Sequence, residues 1–144
     1  PADASLPKVS ATRGYGAEVR LGGKTVDDCI SEAKRFATDN GATFVPPFDH
    51  LDILAGQGTI GLELLDEVPE LGTVVTAVGG GGLCAGIAAA VKLHRPDVRV
   101  VGVAAAGAAS MLGSLAVGSP VEVVPATIAI RRAPIRPALP SALM

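Results

Sequence analysis

Aromatic residues are scarce in this sequence: three Phe, one Tyr and no Trp. Its core must therefore be aliphatic, built from Val, Ile, Leu and Ala, which help bring the apolar share to 49%. Charge is sparse too, 18% of residues with a net value of −2. No basic excess exists to attract a nucleic acid or an anionic membrane. No uninterrupted apolar run reaches the ~18–20 residues of a membrane span, and no charged-then-apolar leader opens the chain. A soluble, cytoplasmic protein is expected. There are two cysteines, Cys29 and Cys84, and two histidines, His50 and His94, none at metal-ligand spacing. The thiols are expected to be reduced core residues, and no metal site is expected.

Glycine and proline are plentiful instead, 18 and 11 in 144 residues, which is consistent with one domain rich in turns. Val74-Val75-Thr76-Ala77-Val78 reads as a strand, Gly79 to Gly82 as a turn, and Leu83 to Val91 as an alanine-rich helix. Four glycines remove every Cβ from the turn, so backbone N–H groups can converge on one point. The positive end of the following helix faces that point as well. Such an arrangement suits a phosphate, the alternative being a turn used only for tight packing. An NAD site would need an acidic residue after the next strand, where Ala104, Ala105 and Ala106 stand instead. A Walker A site would need Gly-Lys-Ser/Thr after the loop, and that is missing too. A single phosphate group on a smaller cofactor remains.

Elsewhere, strands and helices alternate. Strands are expected at 18–21 and 43–45, the second ended by Pro46-Pro47, and at 73–78 and 98–104. Helices are expected from Thr25 to Gly41, from Asp52 to Glu67 and from 83 to 94. Thr25 and Asp28 stand at capping-box spacing and Gly41 supplies the stop. Strand–helix–strand repetition predicts an α/β fold with a parallel sheet and right-handed crossovers. Gly56-Gln57-Gly58-Thr59-Ile60-Gly61 fits the G-x-G-x-x-G pattern, but it follows a loop entering a helix rather than a strand. Close packing of another backbone is its expected role, not dinucleotide binding. His94 is expected on the surface at a helix end, and Asp49 and Asp52 at a helix start. From about Pro125, Arg and Pro dominate. An unstructured tail over 125–144 is expected, with a basic interaction segment as the alternative. No catalytic constellation emerges from the residues alone.

Several segments, taken in order, resemble the threonine dehydratase branch of the fold-type-II pyridoxal-phosphate (PLP) enzymes, which also holds serine racemases and serine dehydratases. They are Lys8 to Val19, Pro47-Phe48-Asp49, Ala55 to Thr59 with Glu63, Val78 to Ala88, and Val100 to Val103. The resemblance covers about residues 1–120 and implies a tryptophan synthase β-like fold truncated at both ends. Residues 1–45 would be a remnant of the small domain and 46–124 part of the large, phosphate-binding one. It further implies that Gly79, Gly80, Gly81, Gly82 and Leu83 hold the PLP phosphate. The implied reaction is deamination of L-threonine to 2-oxobutanoate and ammonia, as in isoleucine biosynthesis, with an amino acid as substrate. The family's Ser-Phe-Lys-x-Arg-Gly-Ala and Ser-Gly-Asn-His motifs have no match here. None of Lys8, Lys24, Lys34 and Lys92 stands in the lysine motif, so no catalytic residue is assigned and the chain alone is expected to be inactive. Some relatives carry a metal-binding carboxylate where Ala104 stands, and the family's usual proline is replaced by Ala77. A phosphate-ligand binding module, or a piece complementing a separate partner chain, is the alternative; so is a serine racemase or serine dehydratase fragment. Strands 73–78 and 98–104, almost wholly apolar, are expected to leave an open edge through which the chain self-associates.

Overall fold

The computed structural model describes residues 1–121 and the backbone of 130–134. The chain divides into two compact units, Pro1–Pro46 and Pro47–Met144.

The first unit holds two helices, α1 (Leu6–Gly14) and α2 (Val26–Asn40). No strand forms among its residues, so the strands expected at 18–21 and 43–45 are not found. A strand exists only where a second one completes its ladder, and these two short segments do not pair. Side chains fasten them instead. Arg20 forms an ion pair with Glu18 at 2.7 Å and its guanidinium lies 4.3 Å from the centre of the Phe36 ring. The Lys34 ammonium lies 5.6 Å from the centre of the Phe44 ring. Helix α1 was not anticipated; Pro7 in its first turn and Arg13 in its last were the available signals. Helix α2 follows its sequence signals closely. The Thr25 hydroxyl accepts from the Asp28 N–H, the Asp28 carboxylate accepts from the Thr25 N–H, and Gly41 ends the helix at φ 63°. Only Val9 and Ala37 are buried hydrophobics in this unit, while Leu6 and Tyr15 stand in the open.

The second unit runs α3 (Leu51–Glu67), β1 (Thr73–Ala77), α4 (Gly82–His94) and β2 (Arg99–Ala105). A short 3₁₀ turn (Ala106–Ala108), α5 (Ser110–Val117) and β3 (Ile130–Pro134) follow. Strands β1 and β2 pair in parallel, Val75 opposite Val101, with α4 as the crossover. Strand β3 adds to the other side of β2, antiparallel, in the order β1-β2-β3. The expectation of an unstructured tail therefore fails for Ile130–Pro134; the rest of 125–144 lies outside the described residues. Ile130 to Ala133 contain no proline, and Pro134 lies on what is, among the described residues, an edge strand, where proline is tolerated.

The core lies between α4 and one face of this sheet: Val74, Cys84, Ile87, Val91, Val98 and Val100, all aliphatic or thiol. The other face is not covered in the same way. Val75 is 65% exposed and the burial of β1 alternates residue by residue. Among the described residues β1 has a partner on one side only. Of the two strands expected to leave an open edge, β1 is therefore an edge among the described residues, while β2 is paired on both sides and β3 forms the other edge.

Helices α3 and α4 meet through glycines. A Cβ on Gly61 would lie 3.0 Å from the Ile87 carbonyl oxygen, and one on Gly58 would lie 3.3 Å from that of Gly86. A Cβ on Gly86 would strike the Leu54 carbonyl oxygen and come within 2.9 Å of the Gly58 nitrogen. The second and third glycines of the G-x-G-x-x-G pattern thus serve helix packing, as expected. Gly56 faces open space.

Candidate phosphate-binding site

The site begins where β1 ends. Val78 continues the ladder by donating its N–H to the Val103 carbonyl at 2.8 Å, and the chain then turns through Gly79, Gly80 and Gly81 into α4. Gly81 is the N-cap, at φ 91°, in the left-handed region that a side chain rarely adopts. The first bond of the helix runs from the Ala85 N–H to the Gly81 carbonyl at 2.8 Å. Among the described residues, no intramolecular hydrogen bond is donated by the N–H of Gly79, Gly80, Gly81, Gly82 or Leu83. Five consecutive donors are therefore available at the positive end of a 13-residue helix whose first turn carries no acidic residue. This donor set fits a phosphate in number and charge.

A cavity of about 220 Å³ adjoins the loop. Phe48, Leu54 and Val78 line one part of it, and Met111 and Leu115 of α5 another. Asp49 is the single charged residue in its lining, and it is exposed and hence hydrated. Cys84 also lines the cavity; burial pushes its thiol pKa up, which keeps it protonated and a poor nucleophile. Cys29, the other free thiol, is half-buried and donates to the Gly22 carbonyl at 3.3 Å. His50 is the N-cap of α3, its Nδ1 accepting from the Asp52 N–H at 3.2 Å. His94 is exposed in the last turn of α4, where a basic group suits the helix dipole. No cluster of His, Cys, Asp or Glu suited to a metal ion occurs among the described residues, nor does any described helix reach the length and hydropathy of a membrane span.

A family model described as pyridoxal-phosphate dependent enzyme matches residues 1–141. The chain belongs to that family. Its fold is accordingly the α/β fold of fold-type-II PLP enzymes, and pyridoxal phosphate is the family's cofactor. The chain is 47% identical over 123 residues to an L-threonine ammonia-lyase of Geobacter sulfurreducens, covering 85% of this chain and 30% of that one. It is 44% identical over 115 residues to a biosynthetic L-threonine dehydratase of Salmonella typhimurium, covering 80% and 22%. Among solved structures, the processed threonine deaminase isoform 2 of Solanum lycopersicum superposes with a TM-score of 0.74 at 39% identity, over 84% of this chain and 35% of that one. Maize serine racemase gives 0.79 at 31% identity, over 88% and 38%. The chain thus spans about a third of the length of such relatives or less.

The five residues assigned to the phosphate from the sequence lie together in one turn, Gly79 to Leu83. Sequence reasoning missed α5 and with it Met111 and Leu115. The apolar run closed by Gly118, at φ 73°, was the signal for that helix.

Proposed function

We propose that this chain is the phosphate-binding part of a threonine dehydratase-type enzyme, with Gly79, Gly80, Gly81, Gly82 and Leu83 holding the phosphate of PLP. The observation that carries this reading is the row of five unengaged backbone N–H groups at the N-terminus of α4. These donors bind and orient the phosphate. Beside these charge-assisted hydrogen bonds, Phe48, Leu54 and Met111 supply an apolar wall. PLP, when bound, supplies the electron sink for bond cleavage at the substrate's α-carbon. The reaction of the whole enzyme is then deamination of L-threonine to 2-oxobutanoate and ammonia, the step that feeds isoleucine synthesis in relatives of the biosynthetic kind.

The 144 residues by themselves are proposed to be catalytically inactive. Lys92 is the one lysine of Pro47–Met144, and it lies ten residues beyond Gly82 along α4, about 15 Å at 1.5 Å per residue. Its ammonium already donates to the Pro96 carbonyl at 2.8 Å, at the far end of the helix. The free thiols of Cys29 and Cys84 support a reducing, cytoplasmic setting. The pairing of β1 on one side only among the described residues, and its exposed Val75, support association through that edge, either with a second copy or with a chain that completes the sheet.

One titration tests the loop. Wild type should bind inorganic phosphate and PLP, and Gly81→Val should bind neither, because a β-branched residue does not hold φ 91° and its side chain would occupy the space the anion needs. Equal affinities in the two proteins would reduce the loop to a packing turn. Borohydride treatment of the PLP mixture followed by peptide mapping tests inactivity. No single lysine should be labelled stoichiometrically; one that is would overturn it.

A further inference from the structure

We infer that Phe48 is a positioning residue for the phosphate loop: it sets the attitude of the Gly80 and Gly82 N–H groups by contact with their backbone. The inference rests on the loop's proposed role and adds a residue that makes no hydrogen bond to the phosphate itself. A Cβ on Gly80 would lie 2.6 Å from both Cδ atoms of Phe48, so the ring is pressed flat against the Gly80 backbone. A Cβ on Gly82 would lie 2.7 Å from the Phe48 carbonyl oxygen and 3.1 Å from its Cα and Cβ. One residue therefore touches two of the four glycines, with side chain and main chain both.

The position of Phe48 is itself determined from below. It stands two residues before His50, the residue that caps α3. Helix α3 is held against α4 backbone to backbone, through Leu54 and Gly58 on one side and Gly86 on the other. The crossing of the two helices thus sets where Phe48 lies over the first turn of α4. Met111 approaches Gly81 as well, but only through its terminal methyl, which can swing aside on three rotatable bonds. Phe48 meets Gly82 through its carbonyl oxygen and Cα, which are backbone and cannot swing aside. The glycines supply donors and freedom of conformation, and the phenylalanine removes that freedom once the helices are packed. Preorganised donors bind an anion more tightly because less ordering remains to be done on binding.

The test is a ³¹P NMR titration of inorganic phosphate into the full 144-residue chain, with unfolding midpoints measured in parallel. Phe48→Ala should weaken binding about tenfold, equivalent to about 1.4 kcal/mol. Phe48→Leu, which keeps the bulk, should restore affinity to within about threefold of wild type at an unchanged midpoint. Gly81→Val is the control for the loop: if wild type binds no better than this variant, the loop's phosphate role fails, whatever Phe48 does. If wild type binds and Gly81→Val does not, while Phe48→Ala stays within about twofold of wild type, the loop's role stands and the positioning role of Phe48 is wrong. It is wrong also if Phe48→Ala and Phe48→Leu lose affinity and midpoint together, since that marks ordinary core packing.

Discussion

Gly56→Ala and Gly86→Ala should shift stability in opposite directions, although each replaces a helical glycine by the same residue. In a helix interior, alanine is favoured over glycine by about 1 kcal/mol, because glycine loses more backbone freedom on folding. At Gly56 nothing lies within 4 Å of the added Cβ, so that gain should be realised in full. At Gly86 the added Cβ meets the Leu54 carbonyl oxygen, with Gln57 Cβ at 2.8 Å and the Gly58 nitrogen at 2.9 Å. Two of these atoms belong to the α3 backbone and cannot turn away, so the helices must separate. Overpacking by one methyl group costs about 3 kcal/mol where backbone has to move. Subtracting the propensity gain leaves Gly86→Ala less stable by about 2 kcal/mol. Urea unfolding followed by far-UV circular dichroism would read both, with equal m-values showing that the states compared are the same. In a domain of this size each kcal/mol moves the thermal midpoint by roughly 4–8 °C. The reasoning fails if Gly86→Ala is as stable as wild type, or if Gly56→Ala is the more damaging of the two.

The open edge of β1 should drive self-association, and Val75→Lys should suppress it by placing a charge in the middle of the strand. Sedimentation velocity at several concentrations checks this, and a wild-type chain that stays monomeric throughout would refute it. The helix α2 should lose helicity in acid. The N–H groups of Lys24 and Thr25 hold the Asp28 carboxyl below its ordinary value, so its contribution is present above that value, near 3.9 for an unfolded chain, and disappears as pH falls through the lower folded value. Circular dichroism between neutral pH and about pH 2 should show this acid limb in wild type and a flatter profile in Asp28→Asn.

Local features of this protein were legible wherever cause and effect lie within a few residues. The Thr25–Asp28 box, the Gly41 stop and the β-branched run before four glycines each act on neighbours in the chain, and the corresponding elements stand where the sequence puts them. The same holds for the five loop residues as a group, since consecutive residues in one turn need no tertiary contact to come together. The strands expected at 18–21 and 43–45 show the limit. Alternating or β-branched residues state a preference, but a strand needs a partner, and neither segment finds one among the described residues.

By itself, the sequence determined an α/β chain with an aliphatic core, a glycine turn opening α4, and membership in a PLP-dependent family carried by motifs in order. Tertiary structure alone decided that β2 lies between β1 and β3, that Ile130–Pro134 joins β2, and that Gly58 and Gly61 meet α4 while Gly56 meets nothing. It also decided that Phe48 lies over glycines more than thirty positions away. Turn and helix signals act through backbone bonds within a few residues and are written locally. An edge, a helix crossing or a ring laid against a distant loop depends on which surfaces are left to bury once the helices and strands have formed, and that is a property of their packing.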